Sequence, residues 1–248
     1  MRAPTLDEVD PYLVSPVFYG DPYPIYRQLR DHAPVHWSES LGGWVLTRYD
    51  DVLATLRDTD RFSSRGRMLA VLEPLPGAVR AGLRLFEDHF TVGLINSDPP
   101  DHTRLRGLIK KAFTPRVIEA MRPRVQVIVD ELLDAARGRG EMDLVRDLAY
   151  PLPAIVIAEL VGAPPEARVR FKRWSDGILL TSRGSPTVTS RSASASIFCL
   201  GAPLARLEAP IAIDTVLRRL PRLELATNTV EWQEHGLLRA LKRLPVTV

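Results

Sequence analysis

One cysteine stands in the 248 residues, at position 199. A lone cysteine excludes an internal disulfide and any multi-cysteine zinc or iron–sulfur site. Its ordinary place is a small buried apolar niche. Cys199 has a second option, because it stands just before Gly201 and a helix that opens at Pro203. Free amides at a helix start, together with the helix dipole, favour negative charge on a nearby sulfur. Gly201 lets the backbone come close to a flat ligand. A redox or nucleophilic thiol would use the same device, so this local pattern leaves metal ligation, redox chemistry and nucleophilic attack all open. A second pair is His102 and Arg106, within DPPDHTRLR at 98–106. Their i, i+4 spacing puts two cationic or hydrogen-bonding groups on one helix face. A random pair of this kind would be surface residues.

The elements that must position these residues are mostly helices. DPYPIYRQLRDHA, 21–33, reads as a short helix, and Val35–Trp37 and Trp44–Tyr49 as a hairpin around Gly42-Gly43. Asp50 is placed to cap a helix through Leu56. Residues 66–97 alternate apolar pieces with Gly and Pro and read as loop and irregular helix. In 98–113, Asp98 is a candidate cap and Pro99 fits a first helical position. There Leu105, Leu108, Ile109, Ala112 and Phe113 form an apolar stripe. A helix over about 117–137 is weakened early by Pro123, and one over 143–161 is apolar enough to be buried. GAPPEARVRFKRWSDGILL starts another at Pro164-Pro165. Thr181–Ser196, TSRGSPTVTSRSASAS, has one apolar residue and no period, the texture of a linker. After Cys199 a helix resumes, with Leu204, Leu207 and Ile211 on one face and Ile213, Val216, Leu217 and Leu220 on another. LLRALKRLPVTV supplies a short last strand. Pro210 lies inside the post-cysteine helix, where an interior proline costs about 3 kcal/mol.

Composition excludes several classes. The chain is 45% hydrophobic and 25% charged, with a formal charge of +3 from 33 basic and 30 acidic residues. So small an excess, scattered rather than clustered, argues against nucleic acid. No apolar run reaches the length of a membrane span, and the N-terminal stretch carries acids early, so neither membrane nor export is expected and the cytoplasm is the expected location. His32, His36, His89 and His235 read as surface or loop residues, and Pro34 prevents His32 and His36 from sharing a regular helix face.

FCLGAPLARLE, 198–208, resembles the ligand loop and following helix of the soluble bacterial cytochromes P450. DPPDHTRLR resembles the H-x-x-x-R helix of the same family, and weaker matches run through DPYPIYRQLR, GGWVLTRYDDV, RFSS and EWQEHGLLRALKRLPV. The resemblance spans roughly 10–180 and 198–248. It implies a mainly α fold with small β elements, lacking the family's central helices. In this division 1–180 is the N-terminal part of one domain, 181–197 an irregular junction, and 198–248 the ligand loop, following helix and C-terminal segment of the same domain. It also implies haem b (iron protoporphyrin IX), with Cys199 as axial iron ligand, His102 and Arg106 on a propionate, and Phe198 and Gly201 against the ring. A thiolate ligand pushes electron density to the iron and favours O–O cleavage. The implied activity is a monooxygenase that inserts one atom of O2 into a small organic substrate. Its electrons would come from NAD(P)H through a ferredoxin-type partner.

Two departures set a second reading beside it. The family's central helix, with an acid or alcohol next to a threonine, has no counterpart here. Glu119-Ala120-Met121-Arg122 fits the family's E-x-x-R by letter but stands too soon after the His102 helix, and is read as chance. The loop before the cysteine should read F-G-x-G-x-H-x-C; this chain has Ser192, Ala193, Ala195 and Ile197 at the Phe, Gly, Gly and His positions. Alanine at either glycine position obstructs a positive φ or close approach to the ring. Codons for a family-like lead-in ending Ser-Phe-Gly-Leu-Gly-Ile-His, read one nucleotide late, reproduce Thr181–Ile197, with the frame restored at Phe198. The expectation is a frameshifted junction. The alternative to a working enzyme is therefore an inactive remnant that binds haem weakly or not at all.

Overall fold

The computed structural model describes residues 6–66, 72, 75–137, 141–164, 170, 199–233 and 240–247. The expected helix beyond Pro164, the junction 181–197, Phe198 and His235 therefore lie outside the described residues. The chain divides into two compact units, the first running to Leu108 and the second resuming at Ile109 and including everything described from Cys199 onward. Each is mainly helical with small antiparallel sheets, as the sequence leads one to expect.

In the first unit, α1 (Leu6–Tyr12), α2 (Pro16–Gly20) and α3 (Tyr23–His32) precede a hairpin of β1 (Val35–Ser38) and β2 (Gly43–Leu46). Val9 on α1 and Leu13 just after it, and Ile25 and Leu29 on α3, are i, i+4 pairs that bury against one another. Val35 pairs with Leu46 and Trp37 with Trp44. The turn closes through Gly42 at φ 61, the left-handed region in which glycine avoids the Cβ clash. His36 is half-buried in β1, its Nε2 3.5 Å from Asp10 Oδ1, rather than a loop residue. α4 (Tyr49–Arg57) begins two residues earlier than expected and has Arg48 as its cap residue; Asp50 lies inside its first turn, favouring the positive end of the helix rather than capping it. The expected irregular region holds α5 (Gly77–Gly82), α6 (Arg84–Thr91) and a 3₁₀ turn at Leu94–Asn96. α7 (Asp101–Lys110) follows.

The second unit is built on α9 (Arg122–Arg137), α10 (Pro151–Leu160) and α11 (Ala202–Arg219), with the short α8 (Pro115–Ala120) leading in. Val125, Ile128, Val129 and Leu133 of α9, Leu152 and Val156 of α10, and Leu204, Leu207 and Ile211 of α11 share one core. The expected helix over 117–137 is two helices broken at Met121: Pro123 has no N–H to donate and so sits in the first turn of α9 instead of weakening a continuous one. The expected helix over 143–161 also divides. Asp143 Oδ1 accepts from the amides of Val145, Arg146 and Leu244, a stretch of π-helix runs Val145–Ala149, and α10 starts at Pro151. Polar pairs tie the helices together. Arg124 forks onto Glu159 at 2.8 and 2.9 Å, Gln126 Nε2 donates to Thr215 Oγ1 at 3.0 Å, and Arg219 reaches Asp130 Oδ1 at 2.9 Å. β3 (Met142–Asp143), β7 (Pro245–Thr247) and β4 (Glu224–Leu225) form a sheet in the order β3-β7-β4, and β5 (Glu231–Trp232) pairs with β6 (Leu241–Arg243). Among the described residues, no helix is long and apolar enough to cross a membrane.

Candidate functional site

Cys199 is exposed. That removes the buried-hydrophobe role that a lone cysteine ordinarily takes. Its carbonyl accepts from the Ala202 amide at 3.1 Å, which turns the chain into α11 directly after the sulfur. Gly201 is the cap residue at φ −79, a conformation open to any residue, so its backbone does not demand glycine. The space beside it also accepts a small side chain. A Cβ at 201 would stand 3.7 Å from the Cys199 Sγ, on ground that is open as the chain stands. Pro203 occupies the first turn, as read from sequence, and α11 continues unbroken through Pro210. A cavity of about 460 Å3 starts at Gly201 and runs between Leu204, Ala205 and Glu208 of α11 and Tyr150, Pro153 and Ile157.

α7 carries the second pair. Its one buried residue is His102, 3% exposed, while Leu108 and Ile109 of the expected apolar stripe are 57% and 39% exposed. The stripe is therefore not the face that α7 buries. Asp98 and Pro99 stand outside the helix. Asp98 accepts from the Ser64 amide at 2.8 Å and from the Ser63 hydroxyl, so its carboxylate pins the FSS loop rather than capping α7. Arg106 is half-buried one turn beyond His102. Loss of solvent, and next the Arg106 charge, hold the His102 imidazole below its usual range; Asp98 opposes them in part. At neutral pH the face thus offers a fixed cation at Arg106 and an uncharged imidazole at His102, a combination suited to a carboxylate. Glu119 and Arg122 pair locally across the α8–α9 break, Nη2 to Oε2 3.1 Å, and both are exposed, as expected for a chance match.

The structure thus brings His102 together with Arg106 in the first unit, and Cys199 together with Gly201 in the second. Glu208 was not singled out from sequence. It is 5% exposed, and burial pushes its carboxyl up to about 7. The signal was available: Glu208 is the i+4 neighbour of Leu204, an acid on the apolar row of the post-cysteine helix.

No protein-family model matches the chain. It is 40% identical over 164 residues to the putative cytochrome P450 YjiB of Bacillus subtilis, covering 65% of this chain and 37% of that protein. It is 40% identical over 172 residues to the 6-deoxyerythronolide B hydroxylase of Saccharopolyspora erythraea, covering 68% and 43%. The polyketide biosynthesis cytochrome P450 PksS of Bacillus subtilis is 34% identical over 182 residues, 71% of this chain and 44% of that protein. Its solved structure superposes with a TM-score of 0.73 at 22% identity, over 95% of this chain and 98% of that chain. In sequence, the chain spans less than half the length of these relatives.

Proposed function

Because the chain belongs to the cytochrome P450 family, we propose that it is built to hold haem b on the thiolate of Cys199, in the service of a monooxygenase reaction on a small organic substrate. The observation that carries the reading is the exposed sulfur at the start of α11, with the space beside Gly201 clear. The residues fit the group. Cys199 would offer a soft sulfur ligand, Gly201 adds no side chain beside that sulfur, and His102 with Arg106 would offer a donor and a cation for a propionate. Phe198, next to the ligand, is assigned to the ring edge by family likeness alone. Bound there, a thiolate-ligated haem supplies activation of O2. What the chain itself does is present that sulfur at a helix start, and place a carboxylate-binding face on α7. Electrons would arrive from NAD(P)H through a ferredoxin-type partner, as the family likeness implies.

A specific observation favours the second reading, a remnant that retains haem weakly and does not turn over. The sequence match to PksS covers 44% of that protein, yet the superposition spans 98% of its solved chain. Segments of a much shorter chain that reach both ends of a fold leave out interior elements. The acid- or alcohol-threonine pair that handles oxygen and protons in the family belongs to the part left out. One experiment separates the readings: the reduced, carbon monoxide spectrum of the purified chain after incubation with hemin. A strongly red-shifted Soret band that is lost in Cys199→Ser supports a thiolate-bound haem, and product formation with a ferredoxin and its reductase supports turnover. A band unchanged by Cys199→Ser removes Cys199 as ligand, and no Soret band at all sinks both readings.

A further inference from the structure

A groove of about 480 Å3 lies between α11 and the segment from the π-helical stretch into α10. That is within the roughly 300–1,000 Å3 of small-molecule sites. Leu144, Leu148 and Leu152 form one wall, and Ile213, Val216 and Leu217 the other. Three alanines of α11, Ala205, Ala209 and Ala212, leave the room beside Glu208. Glu208 also lines the neighbouring cavity that begins at Gly201, so its carboxyl stands where the two meet.

Glu208 is the one ionisable side chain in the described lining of this groove. It is 5% exposed, and burial is the one influence that acts on its carboxyl, with no charged or hydrogen-bonding neighbour beside it among the described residues. A carboxylate taken from water with neither a cation nor donors is costly, and that cost is what raises its proton affinity here. No basic side chain of the described lining answers it, so a molecule that enters can supply the complementary charge. The walls specify the rest of that molecule. An apolar body regains the transfer free energy of the leucine and alanine surfaces, and a nitrogen carrying a proton pairs with the carboxylate. An alcohol would satisfy one hydrogen bond and leave the charge unpaired.

We propose that the groove between α10 and α11 binds an aliphatic amine as its ammonium ion, with the Glu208 carboxylate as ion-pair partner and the leucine walls around its hydrocarbon. This site is independent of haem binding at Cys199. The test uses the full chain with labelled Ile, Leu and Val methyl groups, titrated at pH 8 with N,N-dimethyloctylamine and, in parallel, with 1-octanol. A tertiary amine is a poor iron ligand, and methyl shifts report contact directly, so the result stands with or without haem. The expected result is shifts confined to Leu144, Leu148, Leu152, Ile213, Val216 and Leu217. Amine affinity should drop about tenfold or more in Glu208→Gln, with octanol affinity unchanged. Ala212→Phe, which fills the groove, should abolish both. Should Glu208→Gln fail to fold, the carboxyl carbon of labelled Glu208 in the unaltered chain takes its place: it must shift on amine addition. Equal amine affinity in Glu208→Gln, a silent Glu208 carboxyl, or shifts outside the groove overturns the proposal, and the groove is then a packing face for polypeptide.

Discussion

At the residue scale, Glu208 and His102 depart from their ordinary protonation in ways that can be measured. The Glu208 carboxyl has an ordinary value of 4.5 in an unfolded chain and about 7 when folded. Folding therefore favours its protonated form. That contribution is fully present below pH 4.5 and is lost as pH rises through 7, by up to about 3 kcal/mol. Urea unfolding at pH 5 and pH 8 should show this fall in the native sequence, and Glu208→Gln should remove most of it. An identical pH dependence in the two proteins would mean that the carboxyl is solvated. His102 has the opposite sign. Its imidazole is held low by burial first and the Arg106 charge second, so its stabilising contribution is lost as pH falls below the usual histidine value of 6.5. Arg106→Leu should raise the His102 titration midpoint, read from its ring proton resonances. No movement would mean that Arg106 points away from the imidazole, and the shared carboxylate-binding face would fall with it.

At the element scale, α9, α10 and α11 are held by a shared apolar core and by few, well-directed polar ties. Arg124 on α9 and Glu159 on α10 make the fork with the best geometry, and Glu159 is largely shielded from water. Arg124→Ala should cost about 1–3 kcal/mol, because it leaves a shielded carboxylate without its bidentate partner. Chemical denaturation of the variant checks this; a change under a few tenths of a kcal/mol would class the pair with exposed bridges that contribute little. α11 differs from its neighbours in burying only part of its apolar surface: Leu204, Leu207 and Ile211 are in the core, while Ile213 and Leu217 are 60% and 62% exposed. Those two line the outer wall of the groove assigned to an amine.

At the scale of the whole molecule, the haem reading depends on the loop before Cys199, at 192–197. Ser192→Phe, Ala193→Gly, Ala195→Gly and Ile197→His together restore the family's loop. They should raise the fraction of chain that carries a thiolate-bound haem after incubation with hemin, read from the Soret absorbance per protein. If occupancy does not rise, the loop is not what limits haem binding. The nucleotides across 180–198 make an independent check. A one-base shift should yield the family-like lead-in, and its absence ends the frameshift explanation.

Local patterns in the sequence determined most of the elements: the 23–32 helix, the Trp37–Trp44 hairpin, the helix after Cys199 and the last strand are where periodicity and turn residues place them. The same holds for the family, which rests on contiguous residues around Cys199 and His102. These are short-range properties, fixed by spacing along one element. What only the tertiary structure decided is which face each element buries. α7 carries an apolar stripe through Leu108 and Ile109 yet buries His102; of the row Ile213, Val216, Leu217 and Leu220, the structure buries Val216 and Leu220 and leaves Ile213 and Leu217 exposed. An amphipathic stripe states what a helix could bury, but burial requires a partner surface, and partners come from distant segments. Asp98 shows the same limit, since its carboxylate went to Ser63 and Ser64, more than thirty residues away, rather than to the helix beside it. Glu208 shows it most plainly. Its place on an apolar row was legible in the sequence, but its isolation was not, because that depends on what α10 and the π-helical stretch set against it.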